Sequence, residues 1–188
     1  MERKMRRFLG IRGALAAVVT VVGMALAGPA PASSPPELAG RIDSAAATGA
    51  ARGTFLALPL FDAELFTEGG RPFSWSEPFA LSLTYRRSFG AGLLVWASMT
   101  EMQRLRSIDP GAANAIEARL DQCFRTVQRG DRITAVSETP DRATFFLNGQ
   151  PTCTLEHPGF RRAFFSIWLD PGARDPAGAA RLRGAASS

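Results

Sequence analysis

The sequence has few of the side chains that carry most enzyme chemistry. Its 188 residues include one lysine (Lys4), one histidine (His157) and one tyrosine (Tyr85). One histidine and two distant cysteines give neither the ligand spacing of a zinc site nor that of a haem site. No Gly-x-Ser-x-Gly segment and no glycine-rich phosphate loop after a predicted strand accompanies them. The sequence therefore predicts no metal site and no cofactor.

Positive charge is also scarce beyond the N-terminus. The chain has 22 basic and 17 acidic residues, of which five basic residues and one acidic residue fall within residues 1–32. The remainder has 17 against 16, a net charge of +1. Arg86–Arg87 and Arg161–Arg162 are isolated doublets that we expect on solvated faces. This charge pattern argues against nucleic acid as a partner.

The N-terminus has the three parts of a secretory signal. Basic residues precede an apolar run at 14–27, and Ala30 and Ala32 form an A-x-A cleavage pattern. The run is shorter than the ~20 residues that span a bilayer. We predict a signal peptide at 1–32, with cleavage after Ala27 or an uncleaved anchor as alternatives. The predicted location is periplasmic or secreted, without stable membrane insertion after cleavage.

The rest of the chain predicts one α+β domain. Residues 33–50, rich in Ala, Gly, Ser and Pro, predict a flexible linker, with a weak first strand as the alternative. The domain then covers 51–184, before a tail at 185–188. Strands are expected at 54–66, 79–85, 133–137, 143–147 and 152–155, and helices at 91–105, from Pro110, and from Pro158 to 169. Because the strands and helices occur in separate runs, we expect a large antiparallel sheet with a layer of helices on one face.

Several local signals support this layout. Residues 79–85 alternate apolar and small or polar side chains, as in a half-buried strand. The first helix is predicted to bury Leu93, Trp96 and Met102. Asp109 is a good N-cap before Pro110, and Gly130 is the predicted stop of that second helix. Asn148–Gly149 predicts a hairpin turn.

The two cysteines, Cys123 and Cys153, permit a disulfide in an oxidising compartment. The bridge would join the second helix to the strand after the hairpin, which is a structural role. Two buried thiols that act as small apolar residues are the alternative.

A set of motifs, in order along the chain, resembles the chalcone isomerase-like proteins of bacteria. The motifs are EPFALSLTY at 77–85, SMTEM at 98–102, RGDRI at 129–133, ATFFLNG at 143–149 and FRRAFFSIWL at 160–169, with LFDAELF at 60–66 and LRG at 182–184. The resemblance covers about residues 52–184. It implies the chalcone isomerase fold, in which a large antiparallel sheet carries a helical layer.

The resemblance also implies what to look for as a catalytic site. The plant enzymes of this fold close a flavonoid ring with an arginine, a tyrosine, an asparagine and a hydroxyl residue. At those four positions this chain has Arg52, Leu93, Thr100 and Arg161. An enolate would then have at most one of its donors, and the loss of one donor typically costs ~10²–10³ in rate. We therefore expect a domain without catalytic activity.

Other relatives of the fold bind fatty acids, and the resemblance implies the same class of partner here. Arg52 is the expected partner of a ligand carboxylate, with Arg86 and Ser98 as further candidates. The expected pocket lies between sheet and helices, with Arg52 at its mouth and Leu83, Leu93, Phe146 and Phe164 in its lining. The alternatives are an isomerase or lyase acting on a chalcone-like enone, and a protein-interaction module. The sequence does not indicate an oligomeric state.

Overall fold

The computed structural model describes residues 34–55 and 57–185, where an antiparallel sheet of six strands carries four α-helices. The strands are β1 (Ala45–Phe55), β2 (Leu58–Glu68), β3 (Phe79–Tyr85), β4 (Arg132–Thr139), β5 (Arg142–Leu147) and β6 (Gln150–Glu156). The helices are α1 (Ala91–Arg106), α2 (Pro110–Cys123), α3 (Phe160–Leu169) and α4 (Pro176–Leu182). Each strand pairs with the next one in sequence. The predicted α+β fold is confirmed, but the single strand expected at 54–66 is divided between β1 and β2, which pair with each other. The predicted signal peptide, and residues 186–188 of the predicted tail, lie outside the described residues.

Alternating side chains give the sheet two faces. On β3, Phe79, Leu81 and Leu83 lie on the side that the helices cover, called here the helical face. Ala80 lies on the opposite side, called the second face. The register pairs Leu81 with Leu65 on β2 and with Ala135 on β4, so the alternation continues across the sheet. The predicted period of two in β3 is confirmed, but the strand is buried on both faces and is not half-buried as predicted.

Aromatic side chains fill the centre of the core between the sheet and the helices. The Phe79 ring meets Phe165 of α3 edge-on at 4.9 Å, and the Phe145 ring meets Phe164 at 5.3 Å. Such edge-to-face pairs add about 0.5–1.5 kcal/mol each beyond the apolar area they bury. This cluster fixes α3 on the sheet.

The buried face of α1 differs from the prediction. Leu93 is 50% exposed and Trp96 is 63% exposed, whereas Val95, Met99 and Met102 are buried. The first turns of α1 are apolar all round, so two stripes fit a helical period equally well. The sequence pattern therefore did not determine which stripe meets the sheet.

Aspartate side chains cap the N-termini of α2 and α4. The Asp109 carboxylate accepts hydrogen bonds from the backbone N–H groups of Gly111 (2.7 Å) and Ala112 (3.2 Å), as expected of an N-cap. However, α2 ends at Cys123 rather than near the predicted stop at Gly130, because the chain turns extended and Val127 pairs with Phe89. The short α4 was not predicted, since its alanines and glycine give no clear apolar period.

The segment predicted as a flexible linker is part of the fold, which corrects the assignment of 33–50. β1 begins at Ala45, and Leu38 and Ile42 are buried on the second face in a cluster with Phe66, Val136 and others. The small residues that made this segment resemble a linker have a packing reason. A Cβ atom at Gly49 would collide with the backbone carbonyl oxygens of Arg181 and Leu182 in α4.

A buried carboxylate holds the start of this segment against the sheet. Glu37, in a short 3-10 turn at Pro36–Leu38, accepts hydrogen bonds from the Thr134 hydroxyl at 2.6 Å and from Nη2 of Arg132 at 3.1 Å. The Glu37 side chain is fully buried, and its ionic partner Arg132 is half-buried. The contact therefore provides a buried charge with the partners it needs.

The two cysteines form a disulfide that links α2 to the edge strand β6. The Cα atoms of Cys123 and Cys153 lie 5.0 Å apart, within the usual range for a bridge. In the part of the chain that the structure describes, no helix combines the length and the apolar character needed to cross a membrane.

Candidate functional site

Two of the predicted ligand-binding arginines meet at one end of the sheet. Nε of Arg52 on β1 donates to one oxygen of Asp62 at 2.7 Å, and Nε of Arg86 donates to the other oxygen at 2.6 Å. Burial by itself would raise the pKa of Asp62, but its hydrogen bonds and ion pairs with Arg86 and Arg52 outweigh burial and lower it. Asp62 thus stays ionised, and the cluster carries one net positive charge.

The position of Arg52 corrects the predicted pocket. Arg52 pairs with Asp62 across β1 and β2, and the neighbouring pair, Ala51 with Ala63, belongs to the helical face. Arg52 therefore lies on the second face, away from the helices, and not at the mouth of a cleft between sheet and helices. A shallow open depression of about 380 Å³ lies beside it, along β1 and β2.

Ser98, the third candidate, lies elsewhere. It is buried on the inner side of α1, where its hydroxyl donates to the Leu94 carbonyl at 2.8 Å. A serine that bonds to the carbonyl four residues earlier is satisfied by its own helix. The structure does not bring Ser98 together with Arg52 and Arg86.

The four predicted lining residues do not surround one cavity. Leu83 and Phe164 are buried in the core on the helical face, while Phe146 belongs to the cluster on the second face. Leu93 is exposed on α1. The placement failed because the sequence pattern fixed neither the buried stripe of α1 nor the face on which Phe146 lies.

The positions at which the resemblance implies catalytic donors also lie apart. Thr100 is exposed on α1 and lines an open groove of about 460 Å³ between α1 and α2. Arg161 contacts Phe79 at the start of β3, whereas Tyr85 stands at the other end of that strand. These groups cannot act on one small substrate from their present positions.

Arg161 is buried without a carboxylate partner among the described residues. It is 2% exposed, and it donates to the Ser137 hydroxyl (2.7 Å), the Ser137 carbonyl (3.2 Å) and the Trp75 carbonyl (2.7 Å). Its guanidinium carbon lies 5.5 Å from the centre of the Phe79 ring. Burial lowers the pKa of Arg161, and the more distant carboxylates of Glu77 and Asp141 oppose that shift. The prediction that Arg161 lies on a solvated face is wrong.

Tyr85 is the polar group of the helical face that the sequence analysis did not place in a site. Its ring meets Phe61 at 6.3 Å and Phe89 at 5.8 Å, both edge-on. Phe61 and Phe89 are half-buried, so this apolar end of the core lies near solvent. Within the described part of the chain, no hydrogen bond reaches the Tyr85 hydroxyl. The sequence did contain a signal for this residue. The alternation in 79–85 predicts that Tyr85 points inward, and Tyr85 is the one tyrosine of the sequence.

Burial raises the pKa of the Tyr85 hydroxyl well above its ordinary value, which predicts a loss of stability at high pH. Above pH ~10 the unfolded chain releases this proton while the folded chain keeps it, so the free energy of unfolding falls by about 1.4 kcal/mol per pH unit. Urea unfolding between pH 9 and 12 measures this slope. Lys4 is the only lysine and the cysteines are bridged, so few other groups titrate there.

The matched control is Tyr85→Phe, which removes the titrating proton and leaves the ring. We expect this variant to show a nearly flat free energy of unfolding over the same range. An equal alkaline slope in both proteins would contradict the assignment to Tyr85.

Comparison with known proteins identifies the fold. No protein-family model and no curated protein matches the chain. Among solved structures, the chain is similar to a crystal structure of a fatty-acid binding protein from Arabidopsis thaliana, with 9% sequence identity and a TM-score of 0.55. The match covers 76% of this chain and 88% of that one. At this identity the likeness shows a shared fold, and it agrees with the chalcone isomerase-like fold predicted from the sequence.

Proposed function

We propose that the domain is an exported, non-catalytic protein that binds a small apolar ligand with a carboxylate, such as a fatty acid. The observation that carries the proposal is Tyr85, a largely buried phenol among apolar rings on the helical face, whose hydroxyl bonds to no described residue. The fold likeness to a fatty-acid binding protein supports the same class of ligand. Export rests on the N-terminal sequence pattern.

A ligand carboxylate would satisfy the Tyr85 hydroxyl. The hydroxyl makes no hydrogen bond to a described residue, and a hydrogen bond from it to a charged acceptor contributes about 1.5–3 kcal/mol. The apolar tail then enters between α1 and the sheet. Met99 and Met102 line that side of α1, and methionine side chains rearrange more readily than the branched or aromatic ones. Rearrangement of these methionines would admit a tail and leave the aromatic cluster around Phe164 in place.

Arg86 follows Tyr85 directly and supplies the positive charge. Its guanidinium is held by Asp62 but is 40% exposed, and its Nη1 atom is not used in that contact. Arg52 shares Asp62 and adds to the positive field at this end of the sheet. Both arginines face the second face, so they would act on a carboxylate at the Tyr85 hydroxyl through their charge and not through a direct contact.

The placement of the other polar groups supports a role without catalysis. The ring closure that this fold performs in plants needs several donors around one enolate. Here Arg52 lies on the second face, Thr100 lies on the outer side of α1, and Arg161 is engaged by β4 and the Trp75 carbonyl. Only Tyr85 remains at the apolar end of the core, which favours binding over reaction.

Titration of the protein with palmitate, followed by calorimetry, tests the proposal. We expect Tyr85→Phe to weaken palmitate binding about tenfold or more, because the substitution removes one hydrogen bond to a charged group. Arg86→Ala is expected to weaken binding as well, and more so at low salt because exposed charges are then less screened.

Arg162→Ala is the matched control. Arg162 lies on α3 over the Trp75 ring, away from Tyr85, so its removal should leave palmitate binding unchanged. Native mass spectrometry of the purified protein adds an independent reading, in which we expect co-purified lipid. A wild-type chain that binds no palmitate and carries no lipid would refute the proposal. Equal palmitate affinity in Tyr85→Phe and the wild type would show that another residue contacts the carboxylate.

A further inference from the structure

Three large apolar side chains are conspicuously exposed in the described part of the chain. Leu58 is 48%, Leu93 is 50% and Trp96 is 63% exposed. Leu93 and Trp96 are one turn apart on the outer side of α1 and form one continuous patch. Exposed tryptophan next to leucine is uncommon on a surface that contacts only water.

The fold places Leu58 at the same end of the sheet as this patch. Leu58 begins β2, just after the turn of the β1–β2 hairpin, and the backbone N–H of Arg86 donates to the Leu60 carbonyl at 2.8 Å. The end of β3 therefore lies beside the hairpin, and α1 begins shortly afterwards at Ala91. We call this region, with Leu58, Leu93 and Trp96, the docking end.

Positive charge surrounds the docking end. Arg86 and Arg87 follow β3 directly, and Arg52 shares Asp62 with Arg86. Arg129 joins them, because the next residue, Gly130, donates its N–H to the Tyr85 carbonyl at 2.7 Å. The acidic residues in this region are Asp62, which is held by the two arginines, and Asp131, which accepts from Gln128 and Asn148. Arginines thus outnumber carboxylates here.

We propose that the docking end binds the surface of a membrane that contains anionic lipids. Tryptophan is favoured at the boundary between headgroups and acyl chains, and leucine side chains enter the same layer. Arginines near the surface add an attraction of their own to anionic headgroups. A second copy of the chain fits less well, since a stable protein interface uses about 20–30 residues a side and this patch offers three large apolar ones.

Surface binding of this kind would let the domain collect an apolar ligand from the bilayer, because Tyr85 lies on the inner side of the same end. The docking itself does not depend on the ligand proposed above. Tyr85→Phe should leave membrane binding unchanged, and substitutions at Leu93 and Trp96 should leave palmitate binding unchanged. Failure of one proposal can therefore be told from failure of the other.

Flotation of the protein with lipid vesicles tests the inference. We expect the wild-type chain to float with vesicles of phosphatidylcholine and phosphatidylglycerol, and to do so much less with phosphatidylcholine alone or in 0.5 M NaCl. The double variant Leu93→Ser/Trp96→Ser should bind anionic vesicles at least about tenfold more weakly than the wild type, since it lacks the apolar anchors. Leu58→Ser, on a different element, should weaken binding independently.

Gln103→Ser on the same exposed side of α1 is the matched control and should bind as the wild type does. Circular dichroism and urea unfolding check that each variant is folded, which we expect for substitutions at exposed positions. Equal flotation of the wild type and the Leu93→Ser/Trp96→Ser variant would overturn the inference, as would no binding to anionic vesicles. Light scattering that shows a wild-type dimer, lost in that variant, would assign the patch to a second copy instead.

Discussion

Replacement of the buried Arg161 by alanine is expected to lower the free energy of unfolding by about 3 kcal/mol or more. The substitution removes the donor from the Ser137 hydroxyl, the Ser137 carbonyl and the Trp75 carbonyl. Each buried acceptor left without a partner costs about 1–3 kcal/mol, and the cavity adds to that cost. Relief of the desolvation of the guanidinium offsets part of the loss. Equilibrium unfolding in urea measures the difference.

The adjacent arginine provides the control. The Arg162 guanidinium carbon lies 4.3 Å from the centre of the Trp75 ring, and its side chain stays accessible to solvent. Its cation–π contact is worth about 0.5–1 kcal/mol at an exposed site, so Arg162→Ala should cost no more than that. Arg161→Lys keeps the charge but not the planar fork of donors, and we expect it to recover little stability. Similar costs for Arg161→Ala and Arg162→Ala would show that the buried contacts contribute nothing of their own.

The burial of Arg161 illustrates a kind of feature that the sequence does not reveal. Two arginines in a row on a helix point about 100° apart, so at most one can point directly at the core. Which one does so depends on how α3 lies on the sheet. The acceptors of Arg161, Ser137 and Trp75, are distant in sequence and carry no motif. Composition and periodicity therefore predicted for Arg161 what holds for most arginines, a position on the solvated surface.

From β3 onward the sheet could be predicted closely, whereas the β1–β2 hairpin was predicted as a linker and one strand. The alternation in β3, the cap at Asp109 and the hairpin at Asn148–Gly149 are local signals that agree with the final fold, and Asn148 and Gly149 both adopt the positive φ that such a turn requires. The ordered motifs added the arrangement of the sheet and its helical layer. Local propensity and global fold agree in this part of the chain, so few alternatives compete.

The candidate site was harder because it depends on which face each side chain occupies. A shift of one residue moves a side chain to the other face of a sheet. Arg52 lies on a strand that composition alone predicted as largely linker, so its face could not be assigned. The alternation in β3 correctly placed Tyr85 inward. Its contacts with Phe61 and Phe89 could not be predicted, because they depend on the pairing of β2 with β3 and on the loop before α1. The predicted roles of Arg52, Arg86 and Ser98 in binding stay predictions for the experiments above.

Removal of the disulfide is expected to lower the free energy of unfolding by roughly 3–4 kcal/mol. The bridge joins residues 30 positions apart, and the loss of such a cross-link restores conformational entropy to the unfolded chain. It also frees α2 from β6, which is an edge strand with Pro151 and an irregular register against β5. The double variant Cys123→Ala/Cys153→Ala, compared with the wild type by urea unfolding without reductant, measures the effect.

Reductant separates the bridge from the packing of the two side chains. Reduction should destabilise the wild type by a similar amount and leave the double variant unchanged, because that variant has no bond to break. α2 contacts the sheet mainly through β6 and the side chains of Ile116 and Leu120. We therefore expect the amide protons of α2 to show the largest increase in hydrogen-exchange rate after reduction. Two reactive thiols in the native wild-type chain, with an unfolding midpoint that reductant does not move, would show that the cysteines act only as buried apolar residues.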